Sequence, residues 1–280
     1  MEFPPLPASP YSPLRGERRA TGDGRRSTVP AMPLTRGEVE SLEADADRAW
    51  PARQTITGDG WSARWADGMH RRINSATIGP DADLVSAVRA IGSFYEQRGY
   101  PPTVKITAEA SHPDIDAHLA KIGYRRDALT QVRAGDTLTA VADRRVEIGA
   151  DRDSWLAAFA EIAEYDSHAA VLLGEIIDRM SEAWFAVVTD RGIVRSVGLG
   201  VPVPPRLGIF AMATRPDDRG RGHASAVLNT LMERAAARGM GEAFLQVLDD
   251  NDTATRLYGK LGLDLRYRYW YRVGVTPDPR

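Results

Sequence analysis

Two halves of this chain repeat each other in register, and that limits its possible folds more than anything else in it. Ser86-Ala87-Val88 matches Ser225-Ala226-Val227 at a spacing of 139, and Lys121-Ile122-Gly123 matches Lys260-Leu261-Gly262 at the same spacing. Arg98-Gly99 matches Arg238-Gly239 at 140, and Gln131-Val132-Arg133-Ala134-Gly135 parallels Trp270-Tyr271-Arg272-Val273-Gly274 at 139. Four matches joining the same order of elements point to one α/β unit present twice. The copies occupy residues 34–140 and 141–280. A chain of 280 residues has room for two such units without disulfide or metal staples.

The stretches between the matches carry the required periodicities. Residues 35–49 read as a short acidic helix, and residues 61–65 and 71–77 as extended. Leu84, Val88, Ile91 and Tyr95 share one face of a helix that Gly99 ends. Residues 103–107 alternate like a strand, residues 114–122 form a helix closed by Gly123, and residues 128–133 are a strand. In the second half residues 146–148 are a short strand. Trp155, Phe159 and Ile162 give a helical stripe behind the cap candidates Asp151 and Asp153. A further helix covers residues 170–180. Residues 184–189 and 193–200 flank Asp190-Arg191-Gly192, a hairpin signal. A strand over 207–214, a helix carrying Val227, Leu228, Leu231, Met232 and Ala235, a strand over 243–247, a helix over 253–261 and a strand over 267–273 complete the order.

Residues 1–33 stand apart. Seven of the 18 prolines lie there with few large apolar residues, so this tail is expected to be disordered. Met32, just ahead of the periodic sequence, is an alternative start to Met1. Composition then narrows function. Net charge is −2, from 36 basic and 38 acidic residues, which excludes a global basic field and makes nucleic acid an unexpected partner. No cysteine is present, so disulfides, thiolate metal sites and a cysteine nucleophile are excluded, and no metal is expected. No apolar run approaches the roughly 18 residues of a membrane span, and the N-terminus lacks the apolar core of a secretory signal. The expected location is cytoplasmic, with no membrane partner.

Chemistry concentrates between residues 207 and 258. A strand leads through Arg215-Pro216-Asp217-Asp218 into Arg219-Gly220-Arg221-Gly222-His223-Ala224 and then an amphipathic helix. A glycine-rich turn at a helix N-terminus aims several backbone N–H groups at one point, and the helix dipole adds about half a positive charge there. Glycines let a diphosphate approach the main chain, and Arg219 and Arg221 add cationic donors. The turn reads as a pyrophosphate cradle; the competing reading is an ordinary turn with solvated arginines. It lacks the Gly-Lys-Ser/Thr ending of a P-loop and the three-glycine dinucleotide fingerprint.

This stretch resembles the GNAT superfamily of acyl-CoA-dependent N-acetyltransferases. Arg219, Gly222 and Ala224 meet its Arg/Gln-x-x-Gly-x-Gly/Ala signature. Asn251, Ala254, Leu257, Tyr258 and Gly262 meet a second, Asn-x-x-Ala-x-x-Leu-Tyr followed by Gly. The resemblance covers about residues 144–274; the first half shares only the element order. It implies an α/β fold of two tandem GNAT-like domains, each a mixed, mostly antiparallel sheet flanked by helices, the first degenerate. It further implies that acetyl-CoA is the co-substrate. The backbone of Met212, Ala213 and Thr214 would pair with the pantetheine arm, and an N–H there would polarise the thioester carbonyl. The loop of Arg219, Gly220, Arg221, Gly222, His223 and Ala224 would hold the pyrophosphate, with His223 as its cap. Asn251 would bind the arm, and Tyr258 would protonate the departing thiolate.

Many members place a carboxylate base on the strand before the loop. Here Leu207, Gly208, Ile209, Phe210, Ala211 and Met212 offer none. Glu175, His168 and relayed water are the candidates. The acceptor is the amine of a small molecule or a protein, and the protein is a monomer or homodimer. The alternative function is an acyl-CoA sensor without turnover. At offset 139 the cradle falls on Pro80-Asp81-Ala82-Asp83, Tyr258 on Leu119, and Asn251 on His112. The first half is therefore expected to be silent toward the cofactor, since carboxylates repel a diphosphate. It would shape the acceptor pocket, with Trp61, Trp65 and Arg71-Arg72 as residues that either face that cleft or pack in the core.

Overall fold

The computed structural model describes residues 34–275. The tail and the question of Met32 lie outside the described residues. The chain runs α1 (Arg36–Ala49), β1 (Gln54–Gly58), β2 (Trp61–Trp65), β3 (Ala76–Ile78), α2 (Leu84–Glu96), β4 (Thr103–Thr107), α3 (Ile115–Lys121) and β5 (Arg125–Asp136). It continues β6 (Val146–Ile148), α4 (Arg152–Ile162), α5 (Ser167–Asp178), β7 (Trp184–Asp190), β8 (Ile193–Val203), β9 (Arg206–Thr214), α6 (His223–Ala237), β10 (Glu242–Leu248), α7 (Asp252–Lys260) and β11 (Asp264–Val273). No helix among the described residues is long and apolar enough to cross a membrane.

Local chemistry accounts for most boundaries. Thr35 and Glu38 form a capping box on α1. Asp151 caps α4 and Asp166 caps α5 through their side chains. Two differences from the sequence reading have local causes. Strand β1 was not expected; its signal is Asp59-Gly60, a two-residue hairpin turn with Gly60 at φ 74°. Residues 71–77, expected extended, begin with a one-turn 3-10 helix over Arg71–Ile73. Buried Asn74 bends the chain there: its carbonyl oxygen accepts from the N–H of Ala66 and Gly68, and its amide donates to the carbonyl of His70.

Two sheets, one per half, were expected, and here the expectation is corrected. The described strands form one sheet in the order β1-β2-β3-β4-β11-β5-β10-β9-β8-β7-β6. The last strand of each half has crossed over. Strand β11 lies between β4 and β5, and β5 lies between β11 and β10. Paired within their own halves, β5 and β11 would each be an open sheet edge; in the exchange each is paired on both sides.

The exchanged contacts are mirrored at the offset of 139. Arg133 in β5 donates to the carbonyl of Leu263 after α7, while Arg272 in β11 donates to the carbonyl of Tyr124 after α3. A Cβ on Gly135 would meet the Gly262 carbonyl oxygen at 2.1 Å, and one on Gly274 would meet the Tyr124 ring at 3.0 Å. Paired elements also start 139 residues apart: α2 and α6, β4 and β10, β5 and β11.

Helices cover both faces. On one face α1, α4 and α5 bury Leu42, Trp155, Phe159 and Ile176 against Phe210, Phe244, Tyr267 and Tyr269. On the other, α2 and α3 pack over the first half's strands and α6 and α7 over the second's. Burying each such side chain contributes about 1.5–3 kcal/mol.

Candidate active site

Strands β9 and β10 pair in parallel only where Arg206, Leu207 and Gly208 face Glu242, Ala243 and Phe244. Beyond that, β10 stays with β5 and β9 with β8, so the two strands part. The divergence is fixed by a bulge. Ala211 takes a left-handed φ of 46°, and the β8–β9 register slips by one residue between the pairs Val197–Ala213 and Leu199–Phe210. Past the bulge Ala213 and Thr214 pair with Val197 and Ser196, which leaves the strand's other edge toward the opening.

The cradle follows at the head of α6. Gly222 is the N-cap residue, at φ 80°, and provides no side-chain cap. The first backbone bond runs from the Ala226 N–H to the Gly222 carbonyl, so the N–H groups of His223, Ala224 and Ser225 have no helical acceptor. Gly220, at φ 76°, and Gly222 are needed for their backbone conformation. A Cβ on either would meet nothing within 4 Å, so the surface beside them is open. Arg219 and Arg221 are exposed. Buried Asp218 accepts from Arg221 at 3.0 Å and from Arg195 at 3.2 Å and so anchors the turn. These features suit a diphosphate. His223, expected as the cap of the loop, is the first residue of α6, and its Nδ1 is buried with no hydrogen-bond partner among the described residues.

Tyr258 is buried in an apolar cluster with Ala226, Val227 and Val247, against which Met212 also packs. Tyr258 of the second signature thus shares an apolar cluster with Ala226 and Val227 of α6, just past the first. Asn251 uses its side-chain oxygen to cap α7, accepting from the Ala254 N–H; its amide NH2 is the part left for a ligand.

The twin position is closed. Asp83 is the N-cap of α2 and accepts from the Ser86 N–H at 2.8 Å, and that bond holds its carboxyl below the usual range. Leu119 is fully buried, and His112 accepts from the Asp114 N–H.

The two candidate bases lie apart from each other. His168 is exposed in the first turn of α5. Glu175, one turn from the helix end, lines a surface groove of about 320 Å³ with Arg152, Leu156 and Asp178. It also sits 3.9 Å from Arg179.

A second constellation was largely invisible in the sequence. On the α1 side of the sheet, the Trp50 and Phe210 ring centres lie 4.8 Å apart. The Arg72 guanidinium sits 5.5 Å from the Phe210 ring centre and 5.9 Å from that of Trp50. His70 approaches Tyr165, with Nε2 3.4 Å from its hydroxyl. Burial first, then the Arg72 charge, pulls His70 down to about 4. Deeper in, Glu43 from α1 pairs with buried Lys105 of β4 and accepts from the Tyr267 hydroxyl at 2.7 Å. Burial lowers the Lys105 pKa, but Glu43, Tyr269 and Asp47 more than offset it and the net shift is upward. Tyr269 donates to Gln246 at 3.1 Å. The one signal that pointed here was Arg71-Arg72.

A parallel strand pair that parts at a bulge, beside an open glycine turn on a helix N-terminus, defines an acetyltransferase of the GCN5-related (GNAT) class. The chain belongs to the family described as probable histone acetyltransferase Rv0428c C-terminal, whose model matches residues 36–272. It is 24% identical over 244 residues to the uncharacterized N-acetyltransferase YobR of Bacillus subtilis, covering 84% of this chain and 98% of the relative. It is 32% identical over 141 residues to the mycothiol acetyltransferase of Streptomyces bingchenggensis, a match spanning 46% of each chain. In fold it is similar to a GCN5-related N-acetyltransferase from Kribbella flavida, with TM-score 0.65, 13% identity, and 89% and 97% of the two chains covered. The protein is an enzyme of this acetyltransferase class.

Proposed function

We propose that the second half takes one acetyl-CoA per chain and that the enzyme moves the acetyl group directly to a primary amine. We further propose that the first half is a degenerate copy of the same unit, retained for packing and for the acceptor pocket. The carrying observation is the contrast between two equivalent helix starts. That of α6 is uncapped, open and flanked by Arg219 and Arg221, whereas that of α2 is filled by the Asp83 carboxylate.

When bound, acetyl-CoA supplies a thioester whose carbonyl is open to attack. Gly220, Gly222, His223 and Ala224 offer main-chain N–H groups to its pyrophosphate, and Arg219 and Arg221 neutralise charge. The edge of Met212, Ala213 and Thr214 orients the arm and offers an N–H toward the carbonyl oxygen. Asn251 donates its amide to the arm. Tyr258 holds a proton for the departing sulfur. Deprotonation of the acceptor is assigned to Glu175, His168 or a relayed water. With no cysteine in the chain, transfer proceeds without an acyl-cysteine.

The names of relatives point to acceptors of two kinds, mycothiol and a histone. Titration with acetyl-CoA tests the cofactor reading: one molecule per chain is expected, and two or none overturns it. Thiol release across a panel of amines tests the reaction. Binding with no release on any amine identifies the sensor instead.

A further inference from the structure

We propose that Arg72, with Trp50 and Gln246, forms a receptor for an anionic oxygen group on the acceptor, so that the enzyme acts on small amines that also carry a carboxylate or comparable anion. This rests on the reading that the parted strands β9 and β10 hold the thioester.

Three buried donors on this side of the sheet have no hydrogen-bond partner among the described residues: Trp50 Nε1, Arg72 Nε and Gln246 Nε2. Each such donor costs about 1–3 kcal/mol when left unmade. Arg72 also has no carboxylate within ion-pair distance among the described residues, whereas Arg53, Arg64, Arg71 and Arg215 are all paired. It rests instead beside the rings of Trp50 and Phe210, with its Nε buried and unpartnered among the described residues. An unpaired, half-buried guanidinium is held there by structure and not by chance. The Asn74 side chain bends the chain between His70 and Arg72, and the 3-10 turn over Arg71–Ile73 projects the side chain onto Phe210.

The location names the ligand's other end. Phe210 is the residue before the bulge at Ala211, and its ring lies 6.3 Å from that of Phe244, the last β10 residue paired with β9. Gln246 lies two residues on, along the same strand face. The donors therefore stand at the mouth of the split. A carboxylate fits their chemistry, because it accepts only and takes two parallel bonds from one guanidinium. An anion seated on Arg72 would hold an amine a few bonds away toward the bulge. Trp50 and Phe210, at 3% and 4% exposure, form a buried floor, which suits a small molecule.

The test is steady-state transfer by the full chain with 4-aminobutyrate, phosphoethanolamine and butylamine. The two anionic amines are expected to be preferred over butylamine, and their ranking tells carboxylate from phosphate. Arg72→Met should raise KM for the anionic amines about 10- to 100-fold while leaving butylamine turnover and acetyl-CoA affinity near wild type. Arg72→Lys should fall between. Separately, without acetyl-CoA, the preferred anionic amine should raise the Tm of the wild type and not of Arg72→Met. Preference for butylamine over both anionic amines, an unchanged KM for the anionic amines in Arg72→Met, or an unchanged ligand-induced Tm shift in the variant overturns the receptor. Failure of acetyl-CoA to bind wild type, with the Arg72-dependent Tm shift intact, would instead remove the proposed function and keep the anion site.

Discussion

Glycine at 222 is required twice, once for a left-handed φ and once for the absence of any side chain where the helix N–H groups point. Gly222→Glu fills that space with a carboxylate, and Arg219→Glu reverses a charge at an exposed position. Each variant is expected to lose acetyl-CoA binding at least 100-fold by calorimetry while the far-UV circular dichroism spectrum stays that of wild type. Tyr258→Phe keeps the packing of a buried ring and removes only the hydroxyl. It should lower kcat by about 100-fold and leave KM for acetyl-CoA within about twofold. His70 supplies a pH signature unrelated to catalysis. Its pKa falls from the ordinary 6.5 to about 4 on folding, chiefly through burial. The unfolded chain therefore binds the proton more readily, and stability is lost as pH drops from about 6.5 toward 4. His70→Gln should flatten that part of a Tm-against-pH curve; an unchanged slope would show that the ring is not buried neutral.

The bulged strand β9 is the element on which the site depends. Its bulge widens the gap from β10 because an extra residue must be accommodated on one side of the β8 ladder. Ala211 takes the strain at φ 46°. A β-branched residue tolerates that region poorly, so Ala211→Val should cost about 1–2 kcal/mol in urea denaturation, with Ala211→Gly tolerated. The sequence carried the strand, the loop and α6 plainly, because alternation, glycine turns and helical spacing are local signals. It did not carry the bulge, since Phe210-Ala211-Met212 reads as uninterrupted strand. Nor did it carry the position of Arg72, which depends on Asn74 closing a turn between segments that only tertiary packing brings together.

At the scale of the whole molecule, the exchanged strands tie the halves into one cooperative body. Cutting the chain near residue 140 would strip β10 of β5 and strip β4 of β11. The full chain should unfold in a single denaturant transition, with fluorescence and circular dichroism coincident. Residues 141–280 expressed alone should fail to give a monomeric, cooperatively folded species on gel filtration. Two separate transitions, or a well-folded second half, would show that the sheet is two sheets in energetic terms.

Repetition, hydrophobic period, turn residues and the charge of the loop were all written along the chain, because each acts over a few neighbouring residues. They determined most of the elements apart from β1 and the 3-10 turn at Arg71–Ile73, the glycine-rich turn at the head of α6 and the acidic character of its counterpart at Asp81 and Asp83. Which strand lies beside which was decided only in three dimensions. Strands β5 and β11 carry similar patterns, and the patterns alone do not say whether each pairs within its own half or crosses. Burial of both sheet faces by helices and the loss of two open edges favour the crossing. That crossing also sets Arg72 of one half against Phe210 of the other.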